Sequence, residues 1–267
     1  MSFKNKQIKD LSKLLKLFLS MKDMEKRFNV KIPVLPDFCD ENEFSGKTDF
    51  TNNLKLKDFI KREFKKIKND EKMEMANWIV SDWGGLSAIQ NGIRKKLIET
   101  DIEKFFSDKS DKIEISLSKN EYVSPRSKVL SFMDPEKFAI CDSRVIFSLN
   151  WLLFITRDNE LIQFHKLPTR NRICKAYSIE YIQKKFPELK KPTLLSDYSD
   201  VLDLLKKLTA EMKKSQKEWN LASTEMLLFQ LADDLDKGLP YLIRESLLSS
   251  TGKKIFSLEN SETILNK

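Results

Sequence analysis

Glycine is the residue this chain nearly does without, with six in 267 positions. Glycine supplies the positive-φ positions on which tight hairpins and phosphate-cradling loops depend. A chain this poor in glycine cannot build an all-β fold of many turns. Neither GxGxxG nor GxxxxGK[ST] occurs in it, which excludes a dinucleotide-binding doubly wound fold and a P-loop NTPase. Long stretches of Leu, Lys, Glu and Phe favour helix instead. The expected fold class is all-α, with at most one short strand pair.

Periodicity places the helices. Leu11, Leu14, Leu15, Phe18 and Leu19 form one stripe of a helix over 7–28, with Lys9, Lys13 and Lys16 opposite. Residues 29–53 hold Pro33, Pro36, Asp37, Asp40 and Gly46 and read as loop. A helix over 54–68 turns Phe59, Ile60, Phe64 and Ile67 inward and Lys57, Lys61, Lys65 and Lys68 outward. Another begins at Met73 and breaks at Ser81-Asp82-Trp83-Gly84-Gly85, and 88–106 continues as helix. Residues 112–118 alternate and read as a short strand or extended loop. Ser127 to Met133 is a short helix stopped at Asp134-Pro135, and an apolar helix follows over 145–155. Residues 165–172 form a basic loop. Helices are expected at 178–186, 197–214, 216–237 and 240–249. One 1–267 domain is expected, with a helical lobe over 54–120 and a second over 121–250 that packs against the N-terminal helix.

The function classes narrow by elimination. Cys39, Cys141 and Cys174 are too few and too scattered for a disulfide framework or a cysteine-held metal or iron–sulfur site. With His165 the sole histidine, zincin, deaminase and other multi-histidine sites are excluded and a Ser-His-Asp triad is disfavoured. No metal and no cofactor are expected. The longest apolar run is too short to span a bilayer. No leader pattern opens the chain, so the expectation is a cytoplasmic monomer without a membrane partner. The surplus of 48 Lys+Arg over 40 Asp+Glu, net +8, favours polyanionic partners.

The stretch that carries chemistry runs from Ser124 to Val145. A helix bearing Lys128 stops at a proline turn, an apolar segment Phe138-Ala139-Ile140-Cys141 follows, and Asp142 opens the next helix fourteen residues after Lys128. An Asp in that place is an N-cap by default, and cap and catalyst are compatible roles. Cys141 reads as a buried apolar residue. The wording Ser127-Lys128-Val129-Leu130, then Pro135, Phe138, Ile140 and Asp142-Ser143-Arg144-Val145, resembles the helix-hairpin-helix DNA glycosylase superfamily. The likeness is to its divergent bacterial branch of oxoguanine-glycosylase-like proteins. The strong match covers about twenty residues. The turn at Trp83-Gly84-Gly85 and the segment Ser223 to Ala232 are similar to that branch as well.

The resemblance implies two helical lobes with a DNA-binding cleft between them, and a glycosylase that flips a damaged or modified base out of double-stranded DNA and excises it. Asp142 would then be the essential carboxylate, stabilising an oxocarbenium-like sugar and orienting the nucleophile. Lys128 matches either the lyase lysine of bifunctional members or a helix residue that contacts phosphate or is solvated. The family's glycine-rich hairpin is absent, and Ser124-Pro125-Arg126-Ser127 stands in its place. Ser124, Arg126, Ser127, Arg144, Lys166, Arg170 and Arg172 are the candidate DNA contacts, with Arg144 also able to pair an acid. Trp83 and Phe132 are candidates for base pocket or wedge. Oxoguanine, alkylated purines, uracil and modified pyrimidines all remain open as the base, and repair and phage defence as the role. Two other readings stand beside this one: a non-catalytic nucleic-acid-binding protein on the same scaffold, and a helical interaction module using the basic amphipathic helices at 7–28 and 54–68.

Overall fold

A computed structural model describes residues 3–21, 28, 30–37, 48–87, 92–107, 109–119, 121–157, 161–176, 184 and 191–233. The expected helix at 240–249, and all but residue 184 of the one at 178–186, lie outside the described residues. The elements are α1 (Asn5–Met21), α2 (Asp49–Lys66), α3 (Asn69–Trp78), a π-helical turn (Ile79–Trp83), α4 (Ile93–Phe106), α5 (Val123–Met133), α6 (Ser143–Ile155), β1 (Ile162–Phe164), α7 (Arg172–Ala176), β2 (Thr193–Leu195) and α8 (Tyr198–Lys213). A last helix, α9, covers 221–233. The architecture is helical, with one short strand pair.

The differences from expectation have local causes. Helix α2 starts five residues early, inside the stretch read as loop. Thr48 accepts from the Thr51 amide while the Thr51 hydroxyl accepts from Thr48, a reciprocal cap that composition alone hides. Ser81 to Trp83 do not break their helix but widen it into the π turn, and the break falls at Gly84-Gly85. Residues 112–118 take the extended-loop alternative and not the strand. A 3-10 turn (Ser110–Lys112) leads to an extended segment holding one antiparallel bridge, Ser116 to Asp197. The strand pair lies elsewhere, β1 and β2 running parallel with Gln163 opposite Leu194.

Two hydrophobic clusters make the core. One gathers Leu11 and Leu15 of α1, Leu149 and Leu153 of α6, Leu204 and Leu208 of α8, and Leu228 of α9. The other gathers Leu56 and Ile60 of α2, Met75 of α3, Ile79 of the π turn and Ile98 of α4. Helix α1 lays its leucine stripe against α8, so the face read as a possible membrane or partner surface is already covered. No helix among the described residues is long and apolar enough to cross a membrane.

Helix α5 belongs to both clusters. Val123 and Leu130 enter the first, Val129, Phe132 and Met133 the second, and every residue of the helix except Ser124 is buried. Helix α5 is therefore a wall common to both clusters.

One buried ion pair links α2 to α9. Lys57, read from the sequence as outward-facing, points inward. Its Nζ lies 2.6 Å from Glu225 Oε2, with side chains 2% and 4% exposed. Lys57 shares the inner face with Leu56, Ile60 and Phe64, and its ammonium lies 5.6 Å from the Phe132 ring centre. Removing one partner of such a pair leaves an uncompensated buried charge, at a cost of about 3–5 kcal/mol. Lys57→Met is thus expected to lose at least about 3 kcal/mol in urea unfolding, and Lys57→Met/Glu225→Gln to recover part of that loss. A single variant no less stable than the double would contradict the pairing.

Candidate functional site

The Phe138 amide donates to the Asp134 carbonyl, but residues 139–141 cross the interior with no strand partner, so their amides need side-chain acceptors. Three helices supply them. The Ala139 amide donates to Tyr198 Oη of α8 at 3.3 Å, and that hydroxyl donates back to the Ala139 carbonyl. The Ile140 amide donates to Glu225 of α9 at 3.1 Å, on the oxygen that holds Lys57. The Cys141 amide donates to Ser127 Oγ of α5 at 2.9 Å. Burial pushes the Tyr198 hydroxyl and the Cys141 thiol well above their ordinary pKa ranges, so both stay protonated.

This clamp delivers Asp142 to the start of α6. Its backbone is extended, and Oδ1 accepts from the amides of Arg144 and Val145, both at 3.0 Å. The cap therefore uses one carboxylate oxygen. The other, Oδ2, lies 3.8 Å from Lys128 Nζ, with the two side chains 13% and 7% exposed. Lys128 is thus neither solvated nor on an outer face. Its ammonium also sits 5.5 Å from the centre of the Trp83 ring.

Trp83 is held on two further sides. Its Nε1 donates to Asn53 Oδ1 at 2.8 Å, and its ring meets Phe132 edge-on at 4.8 Å. Gly84 makes the close approach possible. A Cβ there would lie 2.7 Å from the carbonyl oxygens of Ile79 and Val80 and 3.0 Å from Lys128 Cδ.

The structure corrects three of the expected contacts. Arg126 is not available to DNA. It is 4% exposed and grips Asp101 of α4 with two bonds, at 2.7 and 2.8 Å, and the Glu114 carbonyl with a third at 3.1 Å. Ser127 is fully buried and serves the clamp rather than a phosphate. Phe132 is fully buried beneath Trp83 and cannot itself receive a base. Arg144 pairs with Asp233 at 3.2 Å and lies over the Phe229 ring. Ser124 is half-buried, and Lys166, Arg170 and Arg172 are exposed. Their loop joins the Asp142 end of α6 through a 2.8 Å bond donated by Ser143 to Thr169.

Tyr198, Glu225 and Lys57 were missed as supports. The one available signal was Glu225, a charge inside the apolar run of 221–232. No family model, curated protein or solved structure matches this chain.

Asn is as good an N-cap as Asp but carries no charge. Asp142→Asn should keep the cap and lose only the interaction with Lys128, whereas Asp142→Ala loses both. The alanine variant is expected to be less stable than the asparagine variant by about 1 kcal/mol in urea unfolding. Equal stabilities would show that the cap bonds contribute nothing.

Proposed function

We propose that the protein is a DNA glycosylase in which Asp142 is the essential carboxylate. One observation carries the reading: a carboxylate with one oxygen locked by a helix N-terminus and the other facing a buried lysine beneath an indole. Three of the residues that carry the resemblance support the reading, since Asp142 and Trp83 both lie beside Lys128. As the glycosidic C–N bond breaks, positive charge builds on the sugar at C1′. A carboxylate held in low dielectric by preorganised donors stabilises that charge. Water then adds at C1′, and the departing base takes up a proton. In a bifunctional course Lys128 would pass a proton to Asp142 and its amine would add at C1′ as the base leaves with a proton; the C1′–O4′ bond then opens, O4′ taking up a proton, and the resulting Schiff base is the species borohydride reduces.

Exposed Lys166, Arg170 and Arg172, next to the Asp142 end of α6, support a duplex docking on that side. Substrate entry requires the Trp83 turn to move off Lys128, and the indole is then placed to stack on a base or fill the gap left by one.

A second reading has its own support. The pair is closed over and nearly dry, and Arg126 and Ser127 serve the interior. A scaffold that binds nucleic acid without cutting it would keep Asp142 for its cap alone.

A base-release assay on duplexes carrying oxoguanine, uracil, alkylated purines or modified cytosines separates the two. Wild type should generate alkali-labile sites on one of these duplexes, and Asp142→Asn should lower the rate by about a hundredfold or more. Strand cleavage before alkali, with borohydride trapping abolished by Lys128→Gln, would identify the lyase course. Unaltered activity in the Asp142→Asn protein would remove Asp142 from the chemistry.

DNA affinity should fall with salt, and Arg170→Ala/Arg172→Ala should flatten the plot of log K against log[salt] by about two units. An unchanged slope would place both residues outside the footprint.

A further inference from the structure

A cavity of about 390 Å³ opens on the face of α6 that carries Ser143, Phe147 and Trp151. That volume lies within the roughly 300–1,000 Å³ of ligand pockets. Asp142 is not among its lining residues, and no carboxylate is, among the described residues. The floor is aromatic, Phe147 and Trp151 meeting at 6.4 Å and 62°. Leu167 closes one side, and the rim carries Lys166, Lys175 and Thr169.

The rim is a set of donors. The Thr169 oxygen already accepts from Ser143 Oγ at 2.8 Å and from the Asn171 amide at 3.0 Å. Its own proton is therefore left to donate outward. The Lys166 and Lys175 side chains are exposed ammonium groups that can only donate. The remaining titratable group at the wall is Cys174. Burial, with Asp142 adding to it, pushes that thiol up to about 12, so it stays neutral. Asn150 is held in place by the backbone of Phe164, donating to its carbonyl and accepting from its amide.

Two cations and a hydroxyl donor suit a dianion better than a single carboxylate. A phosphate monoester carries about −1.5 to −2 charge at neutral pH. An aromatic floor beneath such a rim suits a flat ring joined to that phosphate. We propose that this cavity is a nucleotide-binding site, seating a base against Phe147 and Leu167 and its phosphate on Lys166, Lys175 and Thr169. It stands apart from the Lys128–Asp142 pair, so either assignment can fail without the other. The same chemistry is offered by a free mononucleotide and by one unit of a single strand.

Calorimetric titration separates these sources. Wild type is titrated with each nucleoside 5′-monophosphate, with the matching nucleosides, with inorganic phosphate and with a thymidine tetranucleotide. Binding of a monophosphate about tenfold tighter than inorganic phosphate or its nucleoside identifies a free nucleotide site. Binding of the tetranucleotide alone identifies a strand site. Lys166→Ala/Lys175→Ala, which alters only exposed side chains, should weaken the bound nucleotide about tenfold with an unchanged circular dichroism spectrum, and Thr169→Val should weaken it further. The proposal is overturned if no nucleotide binds, if inorganic phosphate binds as tightly, or if the double variant binds as wild type does.

Discussion

The structure depends on a helix with no outside. Helix α5 is walled in on both sides, yet it carries Arg126, Ser127, Lys128 and Ser131. A buried charge or hydroxyl without a partner costs several kcal/mol in an apolar interior, so each must find one. Arg126 finds Asp101 on α4, Ser127 finds the Cys141 backbone, Lys128 finds Asp142, and Ser131 turns back to the Lys128 carbonyl. The two hydrophobic clusters could slide past a purely apolar helix. They cannot slide past one whose polar groups are each matched to a fixed point in the opposing wall.

The same logic runs through the segment before Asp142. Its amides are satisfied by Tyr198, Glu225 and Ser127, which come from three helices far apart in the chain. Glu225 is in turn neutralised by Lys57 from a fourth. Asp142 is therefore placed by contacts from α2, α5, α8 and α9 together. Such a clamp is stiff, and stiffness is what a preorganised carboxylate needs. In the proposed glycosylase, access to the pair would come from the other side, where Trp83 ends a π turn next to Gly84. Widened turns of that kind interrupt the regular hydrogen-bond ladder.

The cavity and the pair are built on neighbouring residues at one helix start, Ser143 and Asp142. Asp142 Oδ2 looks toward α5, while Ser143, one residue on, reaches Thr169 and the basic loop. One helix start thus presents a carboxylate to one neighbour and a donor-rimmed pocket to the other. Successive residues at a helix start point in different directions, so a single N-terminus can serve both.

Much of this was legible in the chain itself. The scarcity of glycine excluded the turn-rich folds, and the 3.6-residue stripes of α1 and α2 followed from the spacing of Leu, Phe and Ile. Asp142 was legible as cap and candidate carboxylate, because an acidic residue before an apolar helix is a local signal. What tertiary structure alone decided was the fate of each basic residue. In sequence Arg126 and Arg170 both read as DNA contacts, Lys128 as a lyase or phosphate-contacting lysine, and Lys57 as an outward-facing helix residue. Three of them are buried against carboxylates, and Arg170 is exposed. The reason is physical: a lysine or arginine can enter a core only where a carboxylate is waiting, and the partners lie 25, 14 and 168 residues away along the chain. No local pattern encodes separations of that kind, and packing settles them once both walls of α5 are in place.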